Sequence, residues 1–502
     1  MNRTRRLPAL GLVAVVAVGV VVADRAGRPD APDVPVEETT AAANEARAAL
    51  PPTATDDAAT SSAWYCPGVP LGGKGYDGTD NGGEAVVANP TDEEITGLVT
   101  RYVDGATPRT EVITVAPRDK VIVDLDEGAD GRYASALIEL TGANGVSGAV
   151  VEQRADFPAG ESHQPCANAP SDAWFFADGF TASDSKEDLV LTNPLVDATV
   201  INVRFVTKDG ERAPSPLQGF VLPPQSLTVI EIAEQGARGE ELVGVEIRAQ
   251  SGAFVAARAQ HYLGTGRLGY TLKLGAPAAH TDWWVVTGNY SGKPAEQIDV
   301  FNPGETDALV SVLFSGSDAV TAQPLSLVVP SHRVVSISMA NVAGLPESEF
   351  VVSLSVLEGD PVVVEHVVTR QLDDNAATSV DLALPSAMAS TKWRSAISAD
   401  AGRERAILIH NVTGVDATAT IASIGPAGRL PAAGLDAIAV PAGRPVYVSI
   451  PDGEDLLQYE VSADQPVLVV RLVPRATGVG GRDIVPALPV VGFGGDEAAV
   501  SP

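Results

Sequence analysis

At 502 residues the chain is long enough for several domains of ordinary size, and one continuous core is not expected. Its 34 Lys plus Arg stand against 64 Asp plus Glu, a formal charge of −30 that argues against general affinity for nucleic acid or anionic lipid. Aromatics are 5% of residues while Gly (48) and Pro (37) are plentiful, which favours short strands and turns over long helices.

The first 23 residues place Arg3, Arg5 and Arg6 ahead of an uncharged apolar run from Leu7 to Ala23. This is an export signal, and its length favours a retained single-span anchor over a cleaved signal peptide, with the basic end cytoplasmic and the rest of the chain outside. Val21-Val22-Ala23 would be the cleavage site if it is cleaved. Residues 24–62 are rich in Ala, Pro, Thr and acidic side chains, and read as a disordered spacer. Cys66 and Cys166, an even pair in an exported chain, read as a disulfide.

From Trp64 on, the chain repeats itself. WYCPG at Trp64, WFFADG at Trp174, WWVVTGN at Trp283 and Trp284, and WRSAISAD at Trp393 open four units and contain every tryptophan of the sequence. An apolar run ending in asparagine follows each, at Asn89, Asn193, Asn302 and Asn411, with Pro next in all but the last. Then come an alternating strand, a turn, and two closing strands, the last being AVVEQR, AFVAARAQ, PVVVEHVV and PVLVVRLV. Period-two alternation and frequent turn signals over about 105 to 110 residues predict an all-β fold of four tandem immunoglobulin-like sandwiches. They span 63–170, 171–280, 281–390 and 391–475, with a loose tail at 476–502. Trp64, Trp174, Trp284 and Trp393 are taken as the repeat-defining tryptophans, filling the space between sheets or sealing module contacts. The asparagines turn the chain after a buried strand, because Asn hydrogen-bonds its own backbone. Glu152, Arg258, Glu365 and Arg471 recur in register on the closing strand. Alternating sign suggests charges partnered between modules, but the plainer expectation is a solvent-facing strand position.

The Trp-aromatic openings, the apolar-Asn-Pro element and the closing Pro-Val-Val-Val-Glu resemble immunoglobulin-like repeats of bacterial exported proteins. With its basic anchor, acidic spacer and four units, the whole chain is similar to an uncharacterised actinobacterial envelope family catalogued as a domain of unknown function, DUF5719. The resemblance implies fold and compartment, and brings no activity, cofactor or catalytic residue.

Little in the sequence nominates chemistry. The six histidines are scattered, and neither a G-x-S-x-G elbow nor an H-E-x-x-H pair occurs. The run Gly264 to Gly269 matches a dinucleotide fingerprint in letters only, since a strand-like alternation follows where a helix is needed. Asp77, Asp80, Asn81 and Glu84 are weak Ca²⁺ candidates whose spacing is not that of an EF-hand. Asn289 and Asn411 head glycosylation-type triplets. Tyr65, Phe175, Phe176 and Trp283 could stack on sugars but are more economically core or junction residues. The expectation is a non-enzymatic, membrane-anchored envelope protein without cofactors, binding an envelope protein or a wall polysaccharide. The alternative is a glycan-binding or glycan-acting role.

Overall fold

Alternation of apolar and polar residues gives strands at the surface one apolar and one polar face, while strands such as Gly269–Leu274 are buried on both. In Thr199–Thr207, Ile201, Val203 and Phe205 are buried while Val200, Asn202 and Arg204 lie half-exposed between them. The computed structural model describes residues 49–490, apart from 57–58, 73–80, 158–159, 264–265, 288–294, 373–374, 397–404, 451–457 and 476–481. The N-terminal apolar segment lies outside the described residues, and among those described no helix is long and apolar enough to cross a membrane.

The first module shows the plan. Its strands are β1 (Ser61–Pro70), β2 (Gly82–Ala88), β3 (Ile95–Val103), β4 (Arg109–Val115), β5 (Lys120–Asp124), β6 (Tyr133–Gly142), β7 (Val150–Phe157) and β8 (Gly160–Pro165). They form two antiparallel sheets, β1-β6-β3-β4 and β5-β2-β7-β8. An immunoglobulin constant domain sets its first strand beside the second and its last beside the sixth. Here β1 lies beside β6 and β7 beside β2, so these two strands have exchanged sheets. The later modules keep this order, except that in the fourth one long strand, Gln458–Pro474, serves as both β6 and β7.

After β8 the chain crosses back to the first strand of its own module: Ala167 meets Tyr65, and Ala276 meets Phe175. Leu384 meets Trp284 and Leu488 meets Arg394 in the same way. In the first module this crossover is stapled by the disulfide between Cys66 and Cys166, 100 residues apart. A loop of that length is worth about 4 to 5 kcal/mol in the chain-entropy account. Reduction is therefore expected to lower the melting temperature of the first module, read by calorimetry with and without reductant, while Cys66→Ala/Cys166→Ala lowers it equally and becomes insensitive to reductant.

The four β8 positions, Gly160–Pro165, Gly269–Leu274, Asn375–Leu382 and Arg482–Pro486, pack against one another in cyclic order, the last against the first. The modules therefore close around one axis, and the described residues from 49 to 490 form a single compact unit. The core of the first module runs on into Val190, Leu227 and Tyr270 of the second. That of the fourth takes in Val286, Val351 and Val368 of the third.

Two boundaries differ from the sequence reading. The spacer assigned to 24–62 is ordered at its end: the Thr53 amide donates to Asn168 at 2.6 Å, Ala54 to Pro489 O at 3.0 Å, and Thr55 to Ala149 O at 3.1 Å. The supposed loose tail 476–502 contains Arg482–Pro486, laddered onto the long strand, and Leu488, which is fully buried. Prolines break both segments, at 51–52 and at 486 and 489, so neither reads as a strand; the first is held by backbone hydrogen bonds to other modules and the second by its ladder on the long strand.

Candidate functional site

The recurrent charges are not solvent-facing. Glu152, Arg258, Glu365 and Arg471 are all buried, between 0% and 7% exposed, and they pair across modules. Arg258 of the second module forks onto Glu365 of the third at 3.1 and 3.2 Å. Glu365 Oε2 also accepts the Ala177 and Asp178 amides at 2.8 and 2.6 Å. The fourth and first modules repeat this: Arg471 reaches Glu152 at 2.6 Å, and Glu152 Oε1 accepts the Ser395 hydroxyl at 2.8 Å and the Ala396 amide at 3.1 Å. Alternating sign along the sequence thus becomes two like seams, second to third and fourth to first. The strand pattern alone marked these positions as polar; only ring closure supplies each with its partner. Burial pushes the Glu365 carboxyl up, against the pull of Arg258.

Around the second-to-third seam lies a denser cluster. Asp178 accepts from Tyr262 at 3.0 Å and Arg267 at 3.2 Å; burial alone would raise its carboxyl, but Arg267 and Arg258 hold it low. Burial pushes Glu187 up to about 8, and burial together with Asp178 pushes Asp299 up to about 8. Both are therefore protonated in the fold where they would be ionised in the unfolded chain. The stability they confer is full below the ordinary carboxylate range and is lost as pH rises through 8. The melting temperature is expected to fall by several degrees between pH 6 and pH 9, and Glu187→Gln with Asp299→Asn should flatten that slope in a thermal scan.

Along the axis each module supplies a polar side chain. Lys273 Nζ contacts Asp381 at 2.9 Å and donates to His163 O at 2.7 Å, while Asp483 accepts from Arg475 at 2.9 Å and from the His163 amide at 2.9 Å. Burial would raise Asp483, but Lys273 and Arg475 outweigh it and hold its carboxyl far below the usual range. Pro51, Pro52, His163, Lys273 and Asp381 line a cavity of about 50 Å³. Such a space suits a buried water, not an organic ligand.

Two larger openings lie at the charged seams. One, of about 560 Å³, is lined by Asp92, Glu93 and Arg118 of the first module and Arg394 and Arg429 of the fourth. The other, of about 570 Å³, is lined by Arg204, Glu246 and Arg248 of the second module and Glu305, His332 and Asp360 of the third. Each has a buried glutamate that holds at least one arginine of the wall, two in the first opening and one in the second, where Arg204 pairs instead with Glu211 at 3.5 Å. Arg394 and Arg429 meet Glu460 at 2.9 and 3.2 Å, and Arg248 pairs with Glu246. Gly148 has φ 65° and sits directly over Arg394, so a side chain there would displace the guanidinium. The Thr306 amide donates to Asp360 at 2.7 Å and lowers its carboxyl.

The sequence-nominated residues fall mostly into structural places. Each repeat asparagine is fully buried, and its amide donates to the carbonyl four residues on, Glu93, Asp197, Thr306 or Val415, at 2.7 to 2.9 Å. Its oxygen accepts the amide two residues on, at Thr91, Leu195, Gly304 or Thr413. Asn411 is thus spent on its turn, and Asn289 lies outside the described residues. Of the tryptophans, Trp64, Trp174 and Trp393 are core residues, but the third of the set is Trp283 and not Trp284. Trp283 Nε1 donates to Val362 O at 2.8 Å, as Trp174 does to Phe254 O and Trp393 to Val467 O. Trp284 instead packs on His410 of the fourth module at 4.8 Å. Phe175, Phe176 and Trp283 are buried, and Tyr65 is half-buried. Asp77 and Asp80 lie outside the described residues; Asn81 donates to Gly72 O, and Glu84 lies 3.9 Å from Arg154. No metal-ligand cluster occurs among the described residues.

Fold and seams define the class: an all-β chain of four double-sheet modules closed into one unit by buried ion pairs. The chain belongs to the Family of unknown function (DUF5719), whose family model matches residues 158–451. No curated relative matches it. Among solved structures it aligns with "Crystal Structure of Thermotoga maritima 1070", at 15% identity over 21% of this chain and 93% of that one, with a TM-score of 0.18. It also aligns with "Biofilm associated protein - BSP domain", at 10% identity over 88% and 97%, with a TM-score of 0.15. Both scores are too low for either likeness to define a fold.

Proposed function

We propose that the protein is a non-enzymatic binding or structural component of a cell envelope, tethered by its N-terminal apolar segment with the four modules outside the cytoplasm. The observation that carries this reading is where its unusual titratable groups lie. Glu187, Asp299, Asp381, Glu365 and Asp483 are buried at seams or on the axis, where they serve the closure of the ring. The Cys66–Cys166 bridge supports an oxidising compartment.

A second reading, glycan recognition, is favoured by the paired seam clefts. Binding suits them better than hydrolysis, because a general acid needs a carboxyl raised towards neutrality. The two carboxyls raised to about 8, Glu187 and Asp299, are not among those lining the clefts, and the Asp360 carboxyl is lowered.

Capture from native envelope with residues 49–490 as bait, alongside retention on insoluble wall polysaccharide, tests the role. Specific retention of either class supports it, and retention of neither sinks it. Protease digestion of intact cells tests the location: the modules should be cut from outside.

A further inference from the structure

We propose that the two seam clefts are a matched pair of carbohydrate-binding sites, each holding a hydroxyl-rich, uncharged saccharide segment between an arginine wall and a carboxylate-bearing turn. This rests on the reading of the protein as an envelope binding component and assigns that role a place.

Four observations point there. The first is recurrence. The openings are nearly equal, about 560 and 570 Å³, and occur at the two seams that share the buried Arg-Glu pairing. The buried glutamates and the facing turns come from the same places in the repeat, while the arginines reach each cleft from different strands. One wall carries two arginines beside a buried glutamate of the second or fourth module: Arg248 is held by Glu246 and Arg204 by Glu211, while Arg394 and Arg429 both meet Glu460. The facing wall is the turn that follows the buried asparagine of the first or third module, Asn89 or Asn302. Volumes of this size accommodate a small ligand or a few residues of a polymer.

The second is backbone geometry. The turn before the fifth strand of every module carries one residue in the left-handed region: Arg118 at φ 54°, Gln225 at 47°, His332 at 52° and Gly443 at 65°. Only glycine takes this conformation without cost. Basic side chains occupy it in the first and third modules, where the residue lines a cleft, and neutral ones in the second and fourth.

The third is chemistry. Guanidinium groups offer planar paired donors and carboxylates paired acceptors, which together satisfy neighbouring hydroxyls that both donate and accept. Both signs line both clefts, and the chain carries a formal charge of −30, so a polyanion would be repelled at long range while a neutral polyol would not.

The fourth is pre-organisation. Arg248, Arg394 and Arg429 are already held by glutamates only 3% to 4% exposed, Arg204 is held by the half-buried Glu211, and ring closure fixes the two walls relative to each other. Little side-chain freedom remains to be lost on binding. Two equivalent clefts on one rigid unit would also give a long polymer an avidity that a short segment lacks.

The test is titration calorimetry of the full chain against soluble hexasaccharides of N-acetylglucosamine, mannose, arabinose and galacturonate. At least one neutral hexamer is expected to bind at two sites per chain, with galacturonate weaker. Arg118→Gly with Arg429→Ala should reduce the stoichiometry to one. Adding His332→Gly with Arg204→Ala should weaken all binding by about tenfold or more. The glycine substitutions relieve the left-handed backbone, and a thermal melt of each variant separates loss of binding from loss of the fold through the alanine substitutions. Failure of every neutral hexamer to bind, or two-site binding unchanged in the fourfold variant, overturns the proposal. Capture of an envelope protein without any saccharide binding would leave the envelope role standing and remove only the clefts' assignment. Saccharide binding that survives the fourfold variant would keep glycan recognition but move it elsewhere.

Discussion

Glu365→Ala is expected to destabilise the folded unit by about 3 to 5 kcal/mol, because it strands a buried cation and uncaps two backbone amides at once. Arg258 is fully buried, and the Ala177 and Asp178 amides both end on Glu365. Replacing both partners, Arg258→Met with Glu365→Leu, removes the stranded cation and should recover part of the loss, the remainder being the two uncapped amides and the countercharge taken from Asp178. Urea denaturation of the two singles and the double gives the coupling directly. If Glu365→Ala unfolds at the wild-type midpoint, the seam pair contributes nothing and the closure argument fails. The same experiment at Glu152 and Arg471 should give a similar answer, since its geometry repeats the first.

A chain ended at Arg475 should lose the cooperative melt of the fourth module and loosen the ring around it. That truncation removes the five-residue ladder of Arg482–Pro486 and the buried Leu488. It also strips Asp483 from Arg475, which is only 1% exposed in its side chain, and from His163 of the first module. An unpaired buried guanidinium costs several kcal/mol on its own, so the effect should exceed that of losing an edge strand. A chain ended after Val490 should melt like the full-length protein. Equal calorimetric traces for the two truncations would show the last strand to be dispensable.

Both predictions turn on contacts that the sequence concealed, and the reasons differ. A charged residue on an otherwise apolar strand looks the same whether it faces water or a partner over a hundred residues away, and surface exposure is the commoner case. Glu152 and Arg471 are 319 residues apart, and no local pattern links them. Short segments such as 49–56 and 482–490 are each interrupted by two prolines and show no period-two alternation, so they do not read as strands. They are ordered by backbone hydrogen bonds to modules already built. Trp283 and Trp284 are neighbours of the same type, so only the sheet register decides which one enters the core. The clefts were not legible either, because each is assembled from two modules.

What the sequence determined by itself was whatever repeats locally: four all-β units, their period, the buried asparagine turns and the disulfide. Those features depend on alternation, turn chemistry and cysteine count, which act over a few residues or within one module. Tertiary structure decided the exchange of the first and seventh strands, the closure of the fourth module onto the first, and the pairing of the alternating charges. It also decided where the clefts open. These depend on which surfaces meet once each module has its own core, and that choice is settled by desolvation and charge pairing between distant residues.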